Sequence, residues 1–293
     1  MLSLHTNAAS LSAQNSISTT QKSLSTSMTR LSTGYRINSA MDDAAGLQIA
    51  TRLKAQTSGM AVAMRNTQNS ISMLQTAEGA LSEVNNILVR MKDLATQAAD
   101  GSSSTADQGA MQGEFDQLSN ELGNITANTK FGGSSLMTAG SGKLSASINF
   151  QIGADSSEKM AANFSTELTA VHTDITAAAT QYNGTTGAAA ATVGTEIATA
   201  TTANTTIGKL ATAIDSVSAL RSKLGAVANR LDHVYNNLSN VSTNTANATG
   251  RIMDVDFATE SSNMTSNQML MQAGTAMLKQ TNSMSSMVMS LLQ

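Results

Sequence analysis

Two pairs of carboxylates stand close enough in this sequence to share chemistry: Asp42 with Asp43, and Asp254 with Asp256. Neighbouring carboxylates can share a proton or help to hold a cation. Each pair, however, sits where an apolar helical pattern is about to begin. Acidic residues there accept from the free N–H groups of a first turn and interact favourably with the helix dipole. We read them as caps, with metal ligation a distant second. The three histidines, His5, His172 and His233, are far apart and form no His-Glu-x-x-His arrangement. No nucleophile elbow occurs, and no glycine-rich loop ends in Gly-Lys-Ser/Thr. With no Cys in the chain, disulfide frameworks and thiolate metal sites are excluded. The expectation is a chain that is not an enzyme and uses no cofactor or metal. What remains is non-covalent chemistry, carried by apolar side chains.

Those side chains recur every seven residues at both ends of the chain. Near the C-terminus the series is Leu270, Met277, Met284 and Leu291, with Ala273 and Met287 three residues after the first and third. Near the N-terminus it is Ile17, Leu24, Met28 and Leu31, preceded by Leu4 and Leu11. A mean spacing of 3.5 keeps apolar groups on one helical face and asks for a partner helix. Each Leu or Met left in water forgoes roughly 1.5–3 kcal/mol. Seven of the 18 methionines fall in the last 30 residues. They can be ordinary core, or an adaptable interface, since flexible and polarisable Met repacks against differing neighbours. The lack of any other core nearby favours the interface, and with it a subunit packed against its own copies.

At 293 residues the chain can bury one or two cores. There is no Pro and no Trp, and aromatics are 3% of residues, which suits long uninterrupted helices packed through Leu, Ile, Val, Met and Ala. A net charge of −3 supplies no basic footprint, so no nucleic-acid partner is expected. Residues 2–21 show no positive cluster or continuous apolar run, so we read no cleaved leader and no membrane span. Ser, Thr, Asn and Gln make up 17 of the first 29 residues. So polar a segment, with so thin a stripe, cannot by itself offset the entropy of ordering.

Along the chain, Gly34 to Gly46 reads as a break or hinge. A long helix is predicted from about Asp42 to Asp100, its best part carrying Leu74, Ala77, Leu81, Val84, Leu88, Met91, Ala95 and Ala98. Gly101 to Ser104 ends it, and Ser104 with Asp107 predicts the cap of a second helix bearing Met111, Phe115, Leu118, Leu122 and Ile125. The period then becomes two: Leu144, Ala146, Ile148, Phe150 and Ile152 predict a strand, Gly153–Asp155 a turn, and Met160, Ala162 and Phe164 a returning strand. Residues 171–206, rich in Ala, Thr and Gly, read as a short exposed insert. A last long helix from 207 to 250 has an unbroken heptad seam: Leu210, Ala213, Val217, Leu220, Leu224, Val227, Leu231, Val234, Leu238 and Val241. The fold class expected is mainly α: a long antiparallel bundle (42–170 and 207–251) with a β-hairpin near 144–166. A discontinuous terminal domain, 1–41 with 252–293, would pair as a coiled coil.

Several segments also carry a family likeness. Leu31-Ser-Thr-Gly34-Tyr-Arg36-Ile37-Asn38-Ser39-Ala40, followed by Asp42-Asp43-Ala44-Ala45-Gly46-Leu47, resembles the N-terminal signature of bacterial flagellins. So do Gln75–Leu81, Leu224–Leu231, Arg251–Glu260 and the ending from Leu278 to Leu292. The likeness runs in order over about residues 1–150 and 205–293. It implies a subunit of the flagellar filament, exported unfolded through the flagellar type III apparatus and localised outside the cell. It further implies terminal segments paired along an inner tube, a middle bundle as the next shell, and little outer decoration. Partners implied are the chain itself, an export chaperone, and cap and hook-junction proteins. Arg90, Leu94 and Glu114 match positions that a flagellin-sensing Toll-like receptor binds in related proteins; the alternative is plain bundle surface or core. A hook–filament junction protein and a type III-secreted translocator are the competing readings.

Overall fold

A computed structural model of the chain describes residues 7–188 and 193–291, with side-chain surroundings as far as Met284. Its elements in order are α1 (Ala8–Thr33), α2 (Ala44–Ala98), α3 (Thr105–Asn128), β1 (Lys130–Phe131), β2 (Ser134–Ser135), a 3₁₀ turn (Lys143–Ser145), β3 (Ser147–Gln151), β4 (Lys159–Asn163), α4 (Ser165–Ala178), α5 (Ala200–Met253) and α6 (Phe257–Leu291). The mainly helical fold class is as expected. Two compact units divide the chain, residues 1–57 with 243–293, and residues 58–242. The divisions fall inside α2 and α5 rather than at the hinge.

The 58–242 unit holds the main core. All eight predicted α2 positions, Leu74 to Ala98, are at most 1% exposed. They pack with Phe115 and Leu122 of α3 and with Leu210, Ala213, Val217, Leu220 and Leu224 of α5. On α5 the seam is buried at Leu210, Ala213, Val217, Leu220, Leu224 and Leu231, but Val227, Val234 and Leu238 are half-buried and Val241 is exposed. The start of α3 carries a reciprocal cap. The Ser104 hydroxyl accepts from the Asp107 amide at 3.2 Å, and the Asp107 carboxylate accepts from the Ser104 amide at 3.1 Å. The β3–β4 hairpin is antiparallel with Phe150 opposite Met160 and Ile148 opposite Ala162. Phe150, Met160, Ala162 and Phe164 all turn into the core. Leu144 is buried too, but in the 3₁₀ turn, so the strand starts three residues later than its alternation predicts.

Residues 171–206 depart most from expectation: much of this segment is core, not exposed insert. Val171, Ile175, Ala178, Ala179, Tyr182, Ile197 and Ala203 are buried. Helix α4 runs through its start, and α5 begins at Ala200, seven residues earlier than predicted. The loop between them is seated by a polar latch on α3. The Gln112 amide donates to Asp116 (2.8 Å) and Glu196 (2.9 Å), while its carbonyl oxygen accepts from the Ile197 amide at 2.7 Å. Burial pushes the Glu196 carboxyl up, but hydrogen bonds from the Thr180 hydroxyl and amide outweigh it and hold the group below its ordinary value.

A second latch is formed by His172. Its Nε2–H donates to the Met137 carbonyl at 2.7 Å, and its Nδ1 lies 2.5 Å from the Tyr182 hydroxyl. A carbonyl only accepts, so the neutral ring carries its proton on Nε2 and takes the Tyr182 hydrogen on Nδ1. Burial lowers the His172 pKa below 6.5 and raises that of Tyr182 to about 12. As pH falls below about 6.5 the unfolded chain takes up this proton before the folded one, so stability is full above that pH and declines below it. His172→Asn should therefore flatten the fall in urea midpoint between pH 7 and pH 5. An unaltered slope in that variant would show that His172 does not set the acid response.

Candidate self-association surface

The 1–57/243–293 unit is built on α1 and α6. The two helices lie antiparallel, since contacts to rising α1 numbers fall on α6. Asn7 Nδ2 reaches the Thr281 carbonyl at 3.5 Å, Ser10 Oγ reaches Asn282 Oδ1 at 3.4 Å, and Arg30 Nη1 stands 3.7 Å from Glu260 Oε2. Between these, Gly274 faces Ile17: a Cβ at 274 would come within 2.9 Å of Ile17 Cγ1. The absence of a side chain there is what admits Ile17.

Steps of three and four mark the face that each helix turns to the other. On α1 the shielded positions are Ala13, Ile17, Thr20, Leu24, Ser27 and Leu31; on α6 they are Glu260, Met264, Asn267, Met271, Gly274, Leu278 and Thr281. Shielding is thin, since only Leu24 (9%), Ser27 (4%) and Glu260 (7%) are buried.

A second heptad line runs along α6 one residue earlier, about 100° round the helix. It contains the predicted Leu270, Met277 and Met284, which are 58%, 63% and 54% exposed. On α1, Leu11 and Met28 also stand open, at 58% and 56%. Met28 lines a shallow groove with Leu24 and Met271. The N-terminal series is thus divided, and does not lie on the one helical face that its spacing predicts. Ile17, Leu24 and Leu31 lie on the face that α1 turns to α6 of the same chain, while Leu11 stands off that face and Met28 stands exposed at its edge. Of the other predicted positions, Leu4 lies outside the described residues, as do the side chains of Met287 and Leu291. The outward surface carries almost no charge: Lys279 is the sole ionisable residue from 261 to 293.

A joint of two crossing segments anchors this pair at one end. Gly34 takes the left-handed conformation (φ 76°) that ends α1, with its amide bonded to the Arg30 carbonyl. The Arg36 amide then donates to the Met253 carbonyl at 2.6 Å, and the Val255 amide donates to the Gly34 carbonyl at 3.0 Å. Of the acidic residues read as caps, Asp43 and Asp256 do cap helices, whereas Asp42 closes the loop before α2. Asp42 accepts from the Asn38 and Ser39 amides, which hold its carboxyl below the usual range. Asp43 accepts from the Gly46 amide at 2.8 Å at the start of α2. Asp256 caps α6, lowered first by the Thr259 hydroxyl and then by the Thr259 and Ala258 amides.

The receptor-matching residues lie in the other unit. Arg90 Nε and Nη2 both donate to Glu114 Oε1, at 2.9 and 2.6 Å, as an exposed pair joining α2 to α3. Leu94 is 3% exposed and belongs to the core, so it offers no free surface, contrary to its inclusion in a contact set. Among the described residues no group of three or more His, Cys, Asp or Glu could hold a metal, and no helix is long and apolar enough to cross a membrane.

This architecture defines a helical protein whose first and last helices pair and present an uncharged apolar line outward. Residues 4–141 match the bacterial flagellin N-terminal helical region, and residues 207–292 match the C-terminal helical region. The chain belongs to the bacterial flagellin family. Flagellin C of Vibrio cholerae is 46% identical over 162 residues, covering 55% of this chain and 42% of that protein. Polar flagellin F of Vibrio parahaemolyticus is 47% identical over 173 residues, covering 59% and 44%. The matches thus span less than half the length of these relatives. The crystal structure of Bacillus cereus flagellin is 34% identical, covering 63% of this chain and 94% of that one, with a TM-score of 0.47.

The seam yields a test. Gly274→Leu should force α1 away from α6 and speed amide hydrogen exchange across residues 8–33 by at least tenfold, whereas Leu270→Ala should not. Equal exchange in the two variants would sink the assignment of separate inward and outward faces.

Proposed function

We propose that the chain is a structural subunit that polymerises into the bacterial flagellar filament and so serves motility, with no catalytic role. Assembly follows export by the flagellar type III apparatus, and the mature location is extracellular. The single observation that carries this reading is the outward line of Leu270, Met277 and Met284, more than half exposed on a helix whose other apolar line is the one engaged by α1. Family membership supports it. The wider partners that fit are an export chaperone and the cap and hook-junction proteins. Host Toll-like receptor contact at the matched positions falls to the exposed pair Arg90 and Glu114.

The reading predicts that the outward line governs assembly and not folding. Burying one such side chain is worth roughly 1.5–3 kcal/mol, and each 1.4 kcal/mol is about a tenfold change in equilibrium. Met277→Gln and Leu270→Gln should each raise the critical concentration for filament growth about tenfold or more. Thermal unfolding of the 58–242 core should stay within a degree of the parent. Seeded growth followed by light scattering and negative-stain microscopy measures the first, and calorimetry the second. Growth of both variants at the parental critical concentration would refute the role assigned to this line.

A further inference from the structure

The most buried and the most exposed of the described methionines lie in different units, with Met64, Met253, Met264 and Met271 half-buried between these extremes. In the 58–242 unit Met60, Met73, Met91, Met111, Met137 and Met160 are at most 8% exposed. On the terminal helices Met28, Met269, Met277 and Met284 are 54–63% exposed, and Met41 at the joint is 97% exposed. Among the described residues the most exposed methionines are therefore concentrated on the terminal helices that carry the surface proposed above for assembly, with Met41 away from it.

We propose that Met277 and Met284, with Met269 beside them, form an oxidisable site through which a hydroperoxide blocks subunit addition. This rests on the assembly reading. In the step itself, a lone pair on the thioether Sδ attacks one peroxide oxygen. The O–O bond breaks as the S–O bond forms, and with hydrogen peroxide the displaced oxygen leaves as water. The sulfur loses two electrons and the peroxide gains them. The product replaces a flexible apolar side chain with a polar one. A sulfoxide on the outward line must then either lose its hydration or keep water at the contact. Exposure before assembly makes the subunit vulnerable, and burial by a neighbouring copy removes that vulnerability. The chemistry is reversible, because methionine sulfoxide reductases return both sulfoxide epimers to the thioether.

The experiment uses the full chain, hydrogen peroxide as oxidant, and unoxidised filament seeds. Peptide mass mapping of the dilute subunit should show sulfoxide first at Met41, Met28, Met269, Met277 and Met284, and last at Met60, Met91 and Met137. Growth from seeds should slow at least tenfold after oxidation and recover after treatment with the two reductases and dithiothreitol. The triple variant Met269→Leu, Met277→Leu, Met284→Leu should grow normally and keep growing after the same exposure, although its Met41 is oxidised. Assembled filaments should resist oxidation at Met277 and Met284. Unchanged growth of parental subunits carrying sulfoxide at Met277 and Met284 overturns the proposal. So does equal loss of growth in the oxidised Leu variant, which places the lesion elsewhere. Failure of the unoxidised parent to grow from seeds instead overturns the assembly reading, and this inference with it.

Discussion

Everything in the terminal unit follows from a one-residue offset on α6. Met264, Met271 and Leu278 lie on one heptad line, and Leu270, Met277 and Met284 on another, about 100° away. The first line is engaged by α1 of the same chain. The second is not, and it stays open whether or not α1 is in place. One helix therefore carries two independent apolar faces, and only one can be satisfied by a single copy of the chain.

The inner face is poor in stabilising contacts. Ser27, Thr20, Asn267 and Gly274 occupy positions where a self-sufficient coiled coil would place Leu or Ile. Its one ion pair among the described residues, Arg30 with Glu260, is long at 3.7 Å. Ordering about 60 residues against such a seam is costly in entropy. On the assembly reading proposed above, burial of the outer line between copies supplies the missing term, and the polarity of the inner face couples terminal order to assembly. A richer seam would fix the helix pair before any neighbour arrived. The near absence of charge serves the same end, since like copies bring little mutual repulsion to the contact.

Long helices and their caps were legible in the sequence because each obeys a local rule. The α2 stripe, the Ser104–Asp107 cap and the acidic caps at Asp43 and Asp256 all follow from spacing and residue type alone. The division of the N-terminal series was not legible. Ile17, Leu24 and Leu31 look no different from Leu11 and Met28 until the partner's phase is known, and Gly274 declares its purpose only beside Ile17. Residues 171–206 misled for another reason. Leu168, Val171, Ile175 and Ala178 do step by three and four, but Thr and Ala surround them and dilute the pattern. The loop that follows is held by Gln112, Asp116 and Glu196, polar residues whose burial leaves no periodic mark.

A seam of small and polar side chains has a further consequence, for register. Leu into Leu packing penalises a slipped pairing, whereas Ser, Thr, Ala and Gly tolerate one. The joint supplies the missing constraint. Its bonds from Arg36 to Met253 and from Val255 to Gly34 are backbone to backbone, so they hold whatever the side chains nearby. They fix where α1 ends relative to where α6 begins. From that point the rise of 1.5 Å per residue sets every later pairing, and it delivers Arg30 to Glu260 and Ile17 to Gly274. A joint built of main-chain bonds thus fixes the register without drawing on the outward apolar line, which on the proposed assembly reading is kept for other copies.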